Sequence, residues 1–81
     1  MKLAKYDESL EAYDKAIEID SRTAEFWYNR SCAYSLKKNK ENTLSDLRQA
    51  INLSASLKED AKKDKDFEWL WEDEEFIKLT R

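Results

Sequence analysis

The chain has 81 residues, with 15 Lys or Arg against 18 Asp or Glu, a formal net charge of −3. A chain this short is one domain at most and buries only ~60% of its unfolded surface, so its core must be rich in large side chains; three Trp, four Tyr and three Phe supply them. Histidine, glycine and proline are absent, which removes the commonest acid–base group near neutral pH, the commonest transition-metal ligand and any glycine-rich phosphate loop.

Tyr6, Leu10, Tyr13 and Ile17 form one apolar stripe and predict a first helix over residues 6–19. Asp20, Ser21, Arg22 and Thr23 make a short connection in which the Thr23 hydroxyl is placed to cap the next helix. That helix is expected over residues 24–36, where Trp27, Ser31 and Tyr34 recur at i, i+4 and i+7. Residues 37–40 are the turn, and in the absence of glycine Asn39 is the residue expected to take a left-handed backbone conformation. A third helix follows over residues 41–53 with a stripe of Leu44, Leu47, Ala50 and Ile51. The second and third stripes can bury each other as an antiparallel pair. Ser56 and Glu59 stand at capping-box spacing and start a fourth helix near Leu57. Phe67, Leu70 and Trp71, then Phe76 and Leu79, give two very short amphipathic turns separated by Glu72 and Asp73.

Candidate chemistry is sparse. Cys32 is the single cysteine, so it forms no internal disulfide, which is consistent with a reducing compartment. It has no histidine to activate it and reads as a small, semi-buried side chain with an ordinary or raised pKa. The paired carboxylates, such as Asp64 with Asp66 and the run from Glu72 to Glu75, read as solvated charges. No catalytic residue, metal site or cofactor is expected. Lys37, Lys38 and Lys40 cluster at one turn and Lys58, Lys62, Lys63 and Lys65 at another, but Glu41, Glu59, Asp60 and Asp64 lie among them. A sequence-independent phosphate-backbone binder needs a net positive face, so nucleic acid is not the expected partner. The chain has no apolar run of ~18 residues and no apolar leader; neither a membrane partner nor secretion is expected, and the expected location is cytoplasmic.

Trp27, Ser31, Tyr34, Thr43, Leu47 and Ala50 stand where a tetratricopeptide repeat carries its aromatic, its small helix-crossing residue, its tyrosine, its second small residue, its large apolar residue and its alanine. Residues 24–57 thus resemble one full repeat of that family. A shift by the family's period of about 34 residues aligns Leu10 with Leu44, Ala16 with Ala50 and Ile17 with Ile51. Residues 1–23 then resemble the second helix of a partial repeat. Residues 58–81, with D-x-D-F at 64–67 and D-x-x-F at 73–76, resemble the tail that closes some bacterial repeat proteins of this family. Where the family commonly has glycine inside a repeat, Lys38 stands near the site.

The resemblance implies an all-α solenoid of antiparallel helical hairpins, with about three main helices and short C-terminal capping helices. It also implies a non-catalytic protein-interaction module that takes a peptide or partner helix in a concave groove, onto which Glu25, Tyr28, Asn29, Cys32, Ser35 and Leu36 would project. Tyr28 lies about 100° around the helix from Trp27, off the core stripe, and offers apolar area with one hydrogen bond. Its replacement by Ala is expected to leave stability nearly unchanged. The string YNRS at 28–31 looks like part of the YxNRS of domains that capture a chaperone's C-terminal carboxylate, and Lys62 falls where a lysine of the next such helix would sit. The first helix of that clamp is not in the sequence, and Asp66 stands where a second base is wanted. Asn29 therefore reads as a groove or inter-helix hydrogen-bonding residue. Two alternatives stand beside the interaction module: a purely structural capping end of a larger scaffold, and a weak homodimer formed through Leu3, Tyr6, Ala12 and Tyr13 on the first helix.

Overall fold

The computed structural model describes the chain from Lys2 onward, and its side chains from Lys5. The described residues form α1 (Lys2–Ile19), α2 (Ala24–Leu36), α3 (Lys40–Leu53), α4 (Leu57–Lys63), a 3₁₀ segment (Lys65–Leu70) and α5 (Glu74–Thr80), with no strand among them. The all-α reading holds, and α1 begins one turn earlier than its apolar stripe. α2 packs against both α1 and α3, the 3₁₀ segment returns to α2, and α5 reaches α3 and α4. Among the described residues no helix is long and apolar enough to cross a membrane.

The connections differ from the local expectations in three places. Thr23 stands at the N-cap of α2 but makes no side-chain cap. Its hydroxyl instead donates to Asp20 Oδ2 at 2.6 Å, while Asp20 Oδ1 accepts from the Arg22 amide at 2.9 Å; a nearby carboxylate is the stronger acceptor. At the end of α2 the left-handed residue is Lys38, with φ 63°, and not Asn39. The Asn39 amide donates to the Tyr34 carbonyl at 3.0 Å and the Lys38 amide to the Ser35 carbonyl at 2.9 Å, which is a Schellman closure with Lys38 in the position that favours glycine. The turn is so short that Asn39 is already the N-cap of α3, its Oδ1 accepting from the Asn42 amide at 3.2 Å. Ser56 likewise does not cap α4. It has helical φ and ψ of −62° and −19° and no side-chain cap, because the chain already turns at residues 55–56, after an extended Ser54, and the carbonyls of residues 54–56 accept from the amides of Leu57, Lys58 and Glu59.

The principal core joins Leu44, Leu47, Ala50 and Ile51 of α3 to Leu57 and Ala61 of α4, Phe67 and Leu70 of the 3₁₀ segment and Phe76 of α5. Ser31, Ser35 and Thr43 are fully buried at the helix crossings, where small side chains let backbones approach. Ser31 and Thr43 satisfy their hydroxyls on carbonyls of their own turns, Tyr28 at 2.6 Å and Asn39 at 2.6 Å.

The two tail motifs do one job twice. Asp64 caps the 3₁₀ segment by accepting from the Asp66 amide at 3.0 Å, and Asp73 caps α5 by accepting from Glu75 and Phe76 amides at 2.9 and 3.2 Å. Three residues after each cap, Phe67 and Phe76 enter the core with their ring centroids 5.9 Å apart. On one side of the helices, Arg30 of α2 forks onto both oxygens of buried Asp46 in α3 at 2.8 Å and reaches Asp14 of α1 at 2.8 Å. Lys40 pairs with Asp73 and Glu75 at 2.6 and 3.2 Å, fastening α5 to α3.

Candidate functional site

A concavity of about 340 Å³ is lined by Tyr6, Ser9 and Tyr13 from α1, by Tyr28, Asn29, Cys32, Ala33 and Leu36 from α2, and by Asp64 and Asp66 from the tail. The helical period explains the grouping. Tyr28, Cys32 and Leu36 share one face of α2 at intervals of four, and Tyr6, Ser9 and Tyr13 share one face of α1 at intervals of three and four. Tyr6, Ser9, Tyr13, Tyr28 and Cys32 are half-buried, whereas Asn29 and Leu36 are exposed.

One end of this groove is organised by Asp64. Its Oδ2 accepts from the Tyr28 hydroxyl at 2.8 Å and from the Cys32 thiol at 3.8 Å, and its Oδ1 is the cap of the 3₁₀ segment. The Tyr28 ring meets Phe67 edge-on, with centroids 5.7 Å apart and planes at 81°. Burial first, and then the Asp64 carboxylate, push the Tyr28 phenol well above its ordinary range. Burial, followed by the charges of Asp64 and Asp66, does the same to the Cys32 thiol. Asp66 is raised as well, by burial and by the like charge of Asp64.

Cys32 Sγ and the carboxylates of Asp64 and Asp66 present ligand atoms within 4.8 Å of one another. As a metal set they are poorly prepared: burial and the neighbouring acids raise the thiol pKa and so oppose the thiolate a metal needs, and both Asp64 oxygens already accept internal hydrogen bonds. The site offers apolar ring surface, an exposed amide and two carboxylates, which is equipment for recognition.

The expected site residues separate into three groups. Tyr28, Asn29, Cys32 and Leu36 come together in the groove. Ser35 does not: it is fully buried, donating to the Asp66 carbonyl at 2.5 Å and accepting from Trp69 Nε1 at 2.7 Å, so its hydroxyl ties the tail to α2. Glu25 is exposed near the N-terminus of α2 and Lys62 pairs with Glu59 at 3.2 Å; neither lines the groove, and Lys62 lies instead beside Trp71, Phe76 and Ile77. Tyr28 is also more structural than its spacing suggested, since it packs against the principal core. Of the residues expected to self-associate, Tyr6 and Tyr13 line the groove, Ala12 is exposed on α1, and the Leu3 side chain lies outside the described residues.

Asp64 and Asp66 were legible as a pair but not as part of the groove. They are half-buried in place of fully solvated. The available signal was the D-x-D-F spacing, which marks an acid beside a buried aromatic; what it lacks is the return of the tail to α2, across more than thirty residues in the Tyr28–Asp64 and Ser35–Asp66 bonds.

No curated protein and no solved structure matches the chain significantly. Two protein-family models do: one described as TPR repeat over residues 1–38, and one described as tetratricopeptide repeat over residues 24–57. The first spans α1, α2 and the turn beyond it, and the second spans α2 and α3 and ends where α4 begins. With its hairpin pairs, its buried small residues at the helix crossings and these two overlapping matches, the chain belongs to the tetratricopeptide repeat family, whose repeats generally mediate protein–protein interaction.

Proposed function

We propose that this chain is a non-catalytic interaction module that seats a peptide or partner helix in the groove between α1 and α2. The observation that carries the reading is the convergence of Tyr6, Tyr13 and Tyr28 with the exposed Asn29 and Leu36 around one concavity. Tyrosine gives large contact area at small entropic cost, and an amide beside it fixes the orientation of a bound backbone. The raised pKa of the Cys32 thiol, from burial and then the charges of Asp64 and Asp66, and the absence of histidine from the sequence support the non-catalytic part. Residues 58–81 support the groove as a cap: Phe67 and Phe76 close the core while Asp64 and Asp66 complete the groove wall. Self-association through Tyr6 and Tyr13 would compete with this use, since both rings line the same concavity.

Selection from a displayed peptide library, followed by mapping the selected peptide on the isotopically labelled chain, tests the assignment. Amide shifts are expected at Tyr6, Tyr13, Asn29 and Leu36. Shifts confined to the depression beside Lys62, Trp71 and Ile77 would move the site off the groove.

A further inference from the structure

We propose that the occupant of this groove is a basic segment, whose Arg or Lys side chain passes the tyrosine rings of α1 and α2 to reach the carboxylates of Asp64 and Asp66. The inference rests on the groove being the binding face and adds the chemistry of what binds there.

Charge complementarity argues for it. Asp7, Asp14, Asp46, Glu59, Asp73 and Glu75 each ion-pair with a Lys or Arg. Among the described residues no such pair forms at Asp64 or Asp66, and Lys65 between them in sequence is exposed and joins neither. The two carboxylates are half-buried beside each other on the groove wall. Asp66 makes no side-chain hydrogen bond among the described residues; its amide and carbonyl do the structural bonding, to Asp64 and from Ser35. Its carboxylate is therefore free to accept from a ligand without unfastening the tail. Burial first, and then the like charge of Asp64, raise the Asp66 pKa, and an incoming cation would offset both.

The walls suit a cation too. Tyr6, Tyr13 and Tyr28 surround the approach, and a guanidinium or ammonium is attracted to aromatic faces while its aliphatic stem packs on them. This chain already makes such contacts elsewhere, with Arg30 5.1 Å from the Trp27 ring centroid and Lys38 5.0 Å from that of Trp69. An acidic segment or a C-terminal carboxylate would instead bring like charge to two half-buried acids. A second copy of this chain joined groove to groove would juxtapose four carboxylates.

The probes are three acetylated, amidated hexapeptides in which Leu alternates with Arg, Glu or Gln, titrated at low ionic strength into the full labelled chain. The Arg peptide is expected to shift the amides of Tyr13, Asn29 and Leu36 and to bind roughly tenfold more tightly than the Gln peptide, the size of one charge-assisted hydrogen bond. Asp66→Asn, checked for unchanged helical circular dichroism, is expected to remove that advantage, as is added salt. Equal binding of the Arg and Gln peptides in the groove, or tighter binding of the Glu peptide, overturns the basic occupant and leaves the groove reading standing. Failure of all three peptides to shift any groove amide overturns both. Concentration-dependent shifts of the same amides without peptide would assign the groove to a second copy and overturn the basic occupant.

Discussion

Tyr28 shows how a residue off the apolar stripe can still be structural. Its ring stands edge-on to fully buried Phe67 and its hydroxyl is held by Asp64 across 36 positions of sequence. Tyr28→Phe deletes one hydrogen bond and should cost about 1 kcal/mol, whereas Tyr28→Ala also strips packing from the core and should cost about 3 kcal/mol. Urea denaturation of the two variants checks this; an alanine variant as stable as the parent would return Tyr28 to the surface, as its spacing first suggested. Asp66 carries the opposite sign. Its folded pKa is raised above 3.8, by burial and then by Asp64. Above the folded pKa the charged form is disfavoured in the folded state relative to the unfolded one, so ionisation costs stability; below the unfolded pKa both states are protonated and the cost disappears. Asp66→Asn is accordingly expected to melt at a higher temperature than the parent at pH 7, with the gain shrinking as the pH falls through the raised folded value and gone once it is below 3.8. Asp73 behaves conversely, because Lys40 first, and then the Phe76 and Glu75 amides, lower its pKa; its contribution is present above 3.8 and is lost as the pH falls through the folded value. A gain for Asp66→Asn that persisted unchanged at pH 3 would show that packing, not charge, is responsible.

At the scale of elements, the α2–α3 turn separates what neighbours decide from what the rest of the molecule decides. Lys38 at φ 63° bears a left-handed cost of ~1–2 kcal/mol. Lys38→Gly removes that cost but adds up to ~1 kcal/mol of unfolded-state entropy and loses the contact with the Trp69 ring, itself ~0.5–1 kcal/mol. The terms nearly cancel, so Lys38→Gly should change stability by under ~1 kcal/mol, while Asn39→Ala removes the α3 cap and should cost about 1 kcal/mol. Thermal melts that showed Asn39→Gly stabilising and Lys38→Gly costly would restore Asn39 as the left-handed residue. The turn itself was legible because the apolar stripes stop and restart around it. Which of two adjacent polar residues takes the left-handed position was not, since that depends on where the next helix must begin. Leu44, Leu47, Ala50 and Ile51 were readable as core because helical period alone puts them on one face, and all four are buried. Thr23 and Ser56 have capping spacing yet do not cap, because capping is a competition: Asp20 takes the first hydroxyl, and preceding carbonyls make the second unnecessary. The groove was half legible for the same kind of reason. Tyr28, Asn29 and Leu36 follow from the face of one helix, but Asp64 and Asp66 arrive through a fold-back that no local spacing encodes.

Across the whole molecule, stability is unevenly distributed, and the groove lies at the boundary. The principal cluster runs from α2 and α3 through α4 to the tail, sealed by Phe67 and Phe76. α1 buries Leu10 and Ile17 but adds neither to that cluster. Its further ties to α2 are ion pairs whose acids, Asp7 and Asp14, are 61% and 54% exposed, and such pairs are worth ~0–1 kcal/mol each. In a stacked array each helix is stabilised chiefly by its neighbours, so α1 should open locally at lower free energy than the rest. Native-state hydrogen exchange is expected to show weaker protection for the amides of residues 10–17 than for α2 and α3. Phe76→Ala should cost about 3–5 kcal/mol, which accelerates exchange through global unfolding by at least ~100-fold. That acceleration is expected to appear together in α2, α3 and α5 while barely changing α1, whose amides already exchange through the smaller opening. If α1 accelerates in step with the others, the helix belongs to the same cooperative unit. If it does not, one wall of the groove can move while the other stays fixed, and a bound peptide that bridges Tyr13 and Asn29 should raise α1 protection before it alters α3.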